Sequence, residues 1–166
     1  ANMTTENKQA IISKEKLLET GIHFGERTRN RNPKMIPFIH GQKDGTHIID
    51  LHKTLVSLEN AYKQVNGLAA KGAKFLFVGT NKYSQEAVKA AAIRSGQFYI
   101  NHRWLGGLLT NQRTVQNSVN RLRTLERLEK TNFEGYKKKE ALELRRELEK
   151  LDKTLGGVKF MRRLPQ

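Results

Sequence analysis

A chain of 166 residues with 31 lysines and arginines against 16 aspartates and glutamates carries a formal net charge of +15. Such an excess makes a lone compact domain repel itself and favours an acidic partner that releases counterions on binding, nucleic acid foremost. Cysteine is absent, which excludes disulfide scaffolds, thiolate metal sites and cysteine nucleophiles.

The segment Ala1 to Ala10 is polar and lacks the apolar core of a signal peptide, so a cytosolic location is expected. No stretch approaches the roughly 20 consecutive apolar residues of a membrane span, which sets a membrane aside as partner. At 37% hydrophobic and 28% charged, the chain can build only a modest core.

Ser13 to Thr20 predicts a short helix capped by Ser13, with Leu17 and Leu18 apolar and Gly21 as its left-handed stop. Glu26 to Lys34 has no apolar period and gathers Arg27, Arg29, Arg31 and Lys34 around Pro33, predicting a basic loop. Met35 to His40 and Thr46 to Leu51 are β-rich, and Asp44-Gly45 between them is a strong turn dipeptide, so a hairpin is expected.

From Leu51 the period becomes helical through Leu55, Leu58, Tyr62 and Val65, with Gly67 as the expected stop. Lys74 to Val78 reads as a short buried strand. The alanine-rich segment Tyr83 to Arg94 reads as a helix with Tyr83, Ala87, Ala90 and Ile93 or Ala91 on one side, ended by Ser95-Gly96. Gln97 to Asn101 resumes as strand. Strand, helix, strand, helix, strand in this order predicts an α/β fold with a parallel sheet flanked by helices.

Beyond Asn111, Val115, Val119, Leu122, Leu125 and Leu128 form one apolar stripe. Ala141, Leu144, Leu148, Leu151 and Leu155 form another, with Glu134-Gly135 in the connection. Two such seams predict an antiparallel helical hairpin, or coiled coil, over 111–154. Residues 1–110 then form the first part of the α/β domain and 155–166 a return segment. Too few residues follow for the remaining strands of a doubly wound sheet, so an incomplete sheet and a C-terminal truncation are expected.

The turn Gly79-Thr80-Asn81 lies where α/β folds hold phosphates, but it is neither GxGxxG nor a P-loop. A capped turn, with Thr80 or Asn81 as N-cap, explains it, and a nucleotide-dependent enzyme rests on this turn alone. His23, His40, His47, His52 and His102 form no metal-binding pattern, and hydrogen-bonding or RNA-facing roles are preferred. Most acids lie between Glu126 and Asp152, where i,i+4 pairing with Lys and Arg accounts for them. No catalytic residue, metal, cofactor or small-molecule substrate is therefore expected.

The unbalanced clusters carry the functional signal. Arg27, Arg29, Arg31 and Lys34 face only Glu26, while Lys159, Arg162 and Arg163 face no acid nearby, and both clusters read as phosphate contacts. Trp104, between Arg103 and Gly106-Gly107, could stack on a base or bury in the root of the hairpin; burial is preferred.

The segments Gly21 to Gly25, Asn32 to Met35, Gly45 to Leu51, Phe77 to Thr80 and above all Asn101 to Asn111 together resemble the small-subunit ribosomal protein two family. Leu155-Gly156-Gly157 with Met161, Leu164 and Pro165 matches that family's return from its hairpin. The resemblance implies a flavodoxin-like α/β domain with an inserted helical hairpin, bound to small-subunit ribosomal RNA near the head–body junction. It also implies neighbouring small-subunit proteins as partners, including ribosomal protein one, and a structural part in translation. At matching positions Arg27, Arg29, Arg31, Lys34 and Arg103 are the first candidates for RNA contact, followed by Arg121, Arg123, Arg145 and Arg146. A scaffold that uses the hairpin to bind proteins is the remaining alternative.

Overall fold

The computed structural model describes residues 11–165; the polar segment read as lacking a signal peptide lies outside them. The fold is mixed α/β and divides into two compact units at Lys71 and Gly72.

In the first unit, α1 spans Lys14–Glu19. The Ser13 hydroxyl accepts the Lys16 N–H at its start, and Gly21 follows at φ +71°, as the sequence predicts. Leu17 is the buried residue of α1. Three strands, β1 (Phe24–Arg27), β2 (Ile39–Lys43) and β3 (Thr46–Ile49), form an antiparallel sheet in the order β1-β3-β2. Asp44 and Gly45 both take positive φ, the left-handed pair that a tight two-residue hairpin needs.

The hairpin thus stands where the turn dipeptide puts it, but its strands are displaced from expectation. Pro33 and Pro37 hold residues Pro33–Phe38 in 3-10 turns, so the first hairpin strand starts at Ile39. The expected basic loop is also more ordered than its composition suggests. It begins as β1, bonded across a bulge to β3, and continues as a 3-10 turn over Thr28–Asn30. Thr46–Ile49 therefore belongs to an antiparallel sheet and adds no strand to the parallel one.

Helix α2 runs Leu51–Ala70, opened by the Asp50 carboxylate accepting the His52 N–H. It passes through Gly67, which does not end it; the stop is Gly72, at φ +75°. A single helical glycine costs only about 1 kcal/mol, too little to break a twenty-residue helix. Leu51 is buried on this helix, while Leu58, Tyr62 and Val65 of the predicted stripe are exposed.

The second unit opens with β4 (Leu76–Val78), α3 (Gln85–Ser95) and β5 (Phe98–Ile100), a strand–helix–strand unit whose strands pair in parallel. The parallel reading holds for this pair. Gly96, left-handed at φ +65°, ends α3 as expected. Most of the predicted face of α3 is wrong: Tyr83 and Ile93 are 82% and 62% exposed and Ala87 and Ala90 are exposed too, whereas Ala92 is fully buried and Val88 and the alternative Ala91 are half-buried. With so many alanines around the helix, the apolar period has no contrast to orient it.

Helices α4 (Gln112–Lys130) and α5 (Lys138–Leu155) pack together and run antiparallel, because Asn132 beyond the end of α4 meets Arg145 while Arg121, further back, meets Glu147. Every residue of the two predicted stripes is buried or half-buried. Val119, Leu122, Leu125, Leu148 and Leu155 join Ile100 of β5, Leu108, Phe133 and Val158 in one core. The root is held closely, since a Cβ at Gly157 would come within 2.1 Å of the Tyr99 carbonyl oxygen.

Candidate RNA interface

In the first unit, the basic segment is built on the end of β1. Arg27 closes the register with Thr46, and the Thr28 N–H donates to the Gly45 carbonyl at 2.9 Å. The 3-10 turn then carries Arg29, and the Arg31 N–H bonds back to the Thr28 carbonyl. Asn32 next caps the turn that begins at Pro33, its side chain accepting the Lys34 N–H at 3.0 Å. The backbone is thereby pinned at both ends. The side chains of Arg27, Arg29, Arg31 and Lys34 are all exposed. Glu26, the only acid nearby in sequence, accepts from Asn30 and forms no ion pair with them. Backbone order with guanidinium groups that have no acidic partner among the described residues is an arrangement that positions a protein on phosphates, since little backbone conformational entropy remains to be lost.

A second group lies on the helix pair. Arg121 makes a two-pronged bond to Glu147, at 2.8 and 2.7 Å. That bond raises the arginine's pKa and holds the Glu147 carboxyl below its usual range, against a smaller opposing effect of burial. Arg145 bonds the Asn132 side chain and lies 5.5 Å from the Phe133 ring centroid. Arg123 donates to the Lys159 carbonyl at 2.8 Å, and the Lys159 ammonium pairs with Glu126 at 2.6 Å. Arg103, Arg146, Arg162 and Arg163 are exposed.

Several expectations change here. Lys159 has an acidic partner after all, brought from α4 by the tertiary fold. Among the described residues the two ion pairs join different segments, and no i,i+4 pair forms on the hairpin. Trp104 is 40% exposed instead of buried in the hairpin root. Helix α3 begins at Gln85 with Ser84 before it, and Asn81 accepts the Tyr83 N–H in a local turn, so neither Thr80 nor Asn81 is the N-cap. Among the described residues, His23 Nδ1 and His47 Nε2 are buried without a hydrogen-bond partner, so these two ring nitrogens do not make the hydrogen bonds expected of them. No described group of three His, Asp or Glu could hold a metal, and no described helix is long and apolar enough to cross a membrane.

Sequence reading missed Phe160, which is 70% exposed beside a groove of about 830 Å³ lined by Arg123, Arg127, Lys130 and Lys159. Its signal was an aromatic residue set among cations in Lys159-Phe160-Met161-Arg162-Arg163.

The family model for ribosomal protein S2 matches residues 17–166. The small ribosomal subunit protein uS2 of Desulfovibrio desulfuricans is 51% identical over 158 residues, which cover 95% of this chain and 61% of that relative. The chain thus spans about three-fifths of the length of the curated relative it matches. With the match running from α1 through the basic segment, the parallel strand pair and the helix pair, the chain belongs to the ribosomal protein S2 family.

Proposed function

We propose that this chain is a structural constituent of the small ribosomal subunit that binds its ribosomal RNA near the head–body junction. It supports subunit assembly and the docking of ribosomal protein one, and so serves translation in the cytoplasm, by binding and without catalysis. The observation that carries the reading is the segment 27–34, where four exposed cations that form no ion pair among the described residues stand on a hydrogen-bonded backbone inside the family-matched span. Arg27, Arg29, Arg31 and Lys34 contact phosphates, Arg103 and Trp104 add a cation and an exposed ring, and Arg146, Arg162 and Arg163 extend the cationic surface. Arg121 and Lys159 contribute less, because each is already paired with a carboxylate, whereas Arg123 and Arg145 bond neutral acceptors and keep their charge for the interface. The accompanying fold reading is a flavodoxin-like sheet begun by residues 1–110, interrupted by a coiled-coil insertion over 111–154 and resumed from residue 155.

Sedimentation of the tagged chain from a bacterial lysate through sucrose, at low and high salt, tests the proposal. Chain in the small-subunit fraction that is released as salt rises is the expected result. Chain left at the top of the gradient, together with no affinity for naked small-subunit RNA, overturns it. Deleting Gln112 to Lys153 separates the scaffold reading: RNA affinity that survives while assembly fails makes the helix pair a protein contact.

A further inference from the structure

The groove on α4 is the least explained feature of the second unit. Its wall is α4, with Arg123, Arg127 and Lys130, and its rim is the return segment, with Lys159 and Phe160. Phe160 is 70% exposed, so its ring is accessible to a partner, and what sets it apart from other exposed apolar side chains is the cationic groove beside it. Lys159 precedes it in sequence, and in space Arg123 lies 5.8 Å and Lys159 5.3 Å from its centroid.

Charge decides the kind of partner. Four cations and two carboxylates line the groove. Glu126 is consumed by Lys159, which leaves Arg123, Arg127 and Lys130 against Glu129. Arg123 is fixed by a backbone carbonyl, a bond that orients the guanidinium without neutralising it. Among the described residues, Arg127 bonds only the Thr124 hydroxyl. An aromatic face beside unneutralised guanidinium groups offers stacking for a base and charge for its flanking phosphates, the combination that holds unpaired nucleotides irrespective of sequence.

We propose that this groove binds an unpaired nucleotide of RNA, with the base stacked on Phe160 and the adjoining phosphates against Arg123 and Arg127. The inference rests on the RNA-binding reading above and adds to it a single-stranded element and the residue that receives it. Phe160 acts through its ring face, so an aromatic replacement preserves binding and an aliphatic one does not.

The test uses the 166-residue chain and a single-stranded RNA of about ten nucleotides carrying 2-aminopurine. Binding should quench the fluorophore. Phe160→Ala should abolish quenching and weaken binding about tenfold or more while leaving the salt slope unchanged, and Phe160→Trp should keep both. Arg127→Ala should lower the salt slope. Because Phe160 is exposed, circular dichroism of the variants should match the parent. Unaltered quenching and affinity in Phe160→Ala overturn the proposal. So does failure to bind the oligonucleotide by a chain that still binds naked small-subunit RNA, an outcome that leaves the broader reading standing. A Phe160→Ala defect seen only with intact, protein-bearing subunits also overturns it and assigns the groove to a protein partner.

Discussion

Arg121 and Glu147 show how little a well-formed ion pair contributes when solvent reaches it. Both side chains are more than a third exposed, so screening reduces the bond to about 0.5 kcal/mol. Glu147 has its folded pKa lowered, chiefly by the Arg121 hydrogen bond. The contribution is therefore present above the unfolded carboxylate pKa and lost as pH falls through the lower folded one. A double-mutant cycle with Arg121→Ala and Glu147→Ala, read by urea denaturation, should show this coupling at neutral pH and none in strong acid. Gly157 is the opposite case. A methyl group there meets the Tyr99 carbonyl oxygen at 2.1 Å and the Tyr99 ring at 2.7 Å, and backbone cannot step aside as a side chain would. Gly157→Ala should cost about 3 kcal/mol of stability, lowering the denaturation midpoint, whereas Gly135→Ala, where no atom lies within 4 Å, meets only the penalty of its positive φ.

At the scale of the element, the turn between α4 and α5 carries a strain that packing repays. Asn132 and Phe133 both sit at φ +53°, and for a bulky residue like phenylalanine this is an unusual conformation. Burial of the Phe133 ring to 1% exposure in the core, with Arg145 over its face, offsets it. Phe133→Ala keeps the backbone strain and forfeits the burial, so a loss of about 3–5 kcal/mol is expected. Hydrogen exchange should then quicken first in the adjoining ends of α4 and α5. Unchanged protection there would mean that the leucine seam alone holds the pair. The basic segment obeys a different logic: its order comes from strand pairing and an asparagine cap, not from burial, so its arginines can be changed without loss of fold.

Across the molecule, the charge of +15 is the property that binding must answer. Arg27→Glu, Arg29→Glu and Arg31→Glu together should leave folding stability within about 1 kcal/mol of the parent, as these side chains are exposed. The same variant should weaken affinity for small-subunit RNA severely and reduce the salt slope by about 0.7–0.9 for each phosphate no longer neutralised. Titration of RNA affinity against potassium chloride concentration measures both, and an unaltered slope would remove this segment from the interface.

The sequence by itself determined the features whose physics is local or periodic. Asp44-Gly45 marked its hairpin because only such residues take two successive positive φ values cheaply, Ser13, Gly21 and Gly96 marked helix ends, and the leucine stripes marked α4 and α5 with their buried faces. Net charge and the bare arginine cluster were equally legible, since neither depends on folding. Tertiary structure alone decided what depends on residues distant in sequence meeting in space. It gave Lys159 an acid from α4, left Trp104 exposed, turned the alanine-rich helix about its axis to bury Ala92, and assigned Thr46–Ile49 to an antiparallel sheet. Phe160 belongs with these: its sequence neighbours hinted at a basic stretch, but only the return of the chain onto α4 brings Arg123 to its ring and opens a groove beside it.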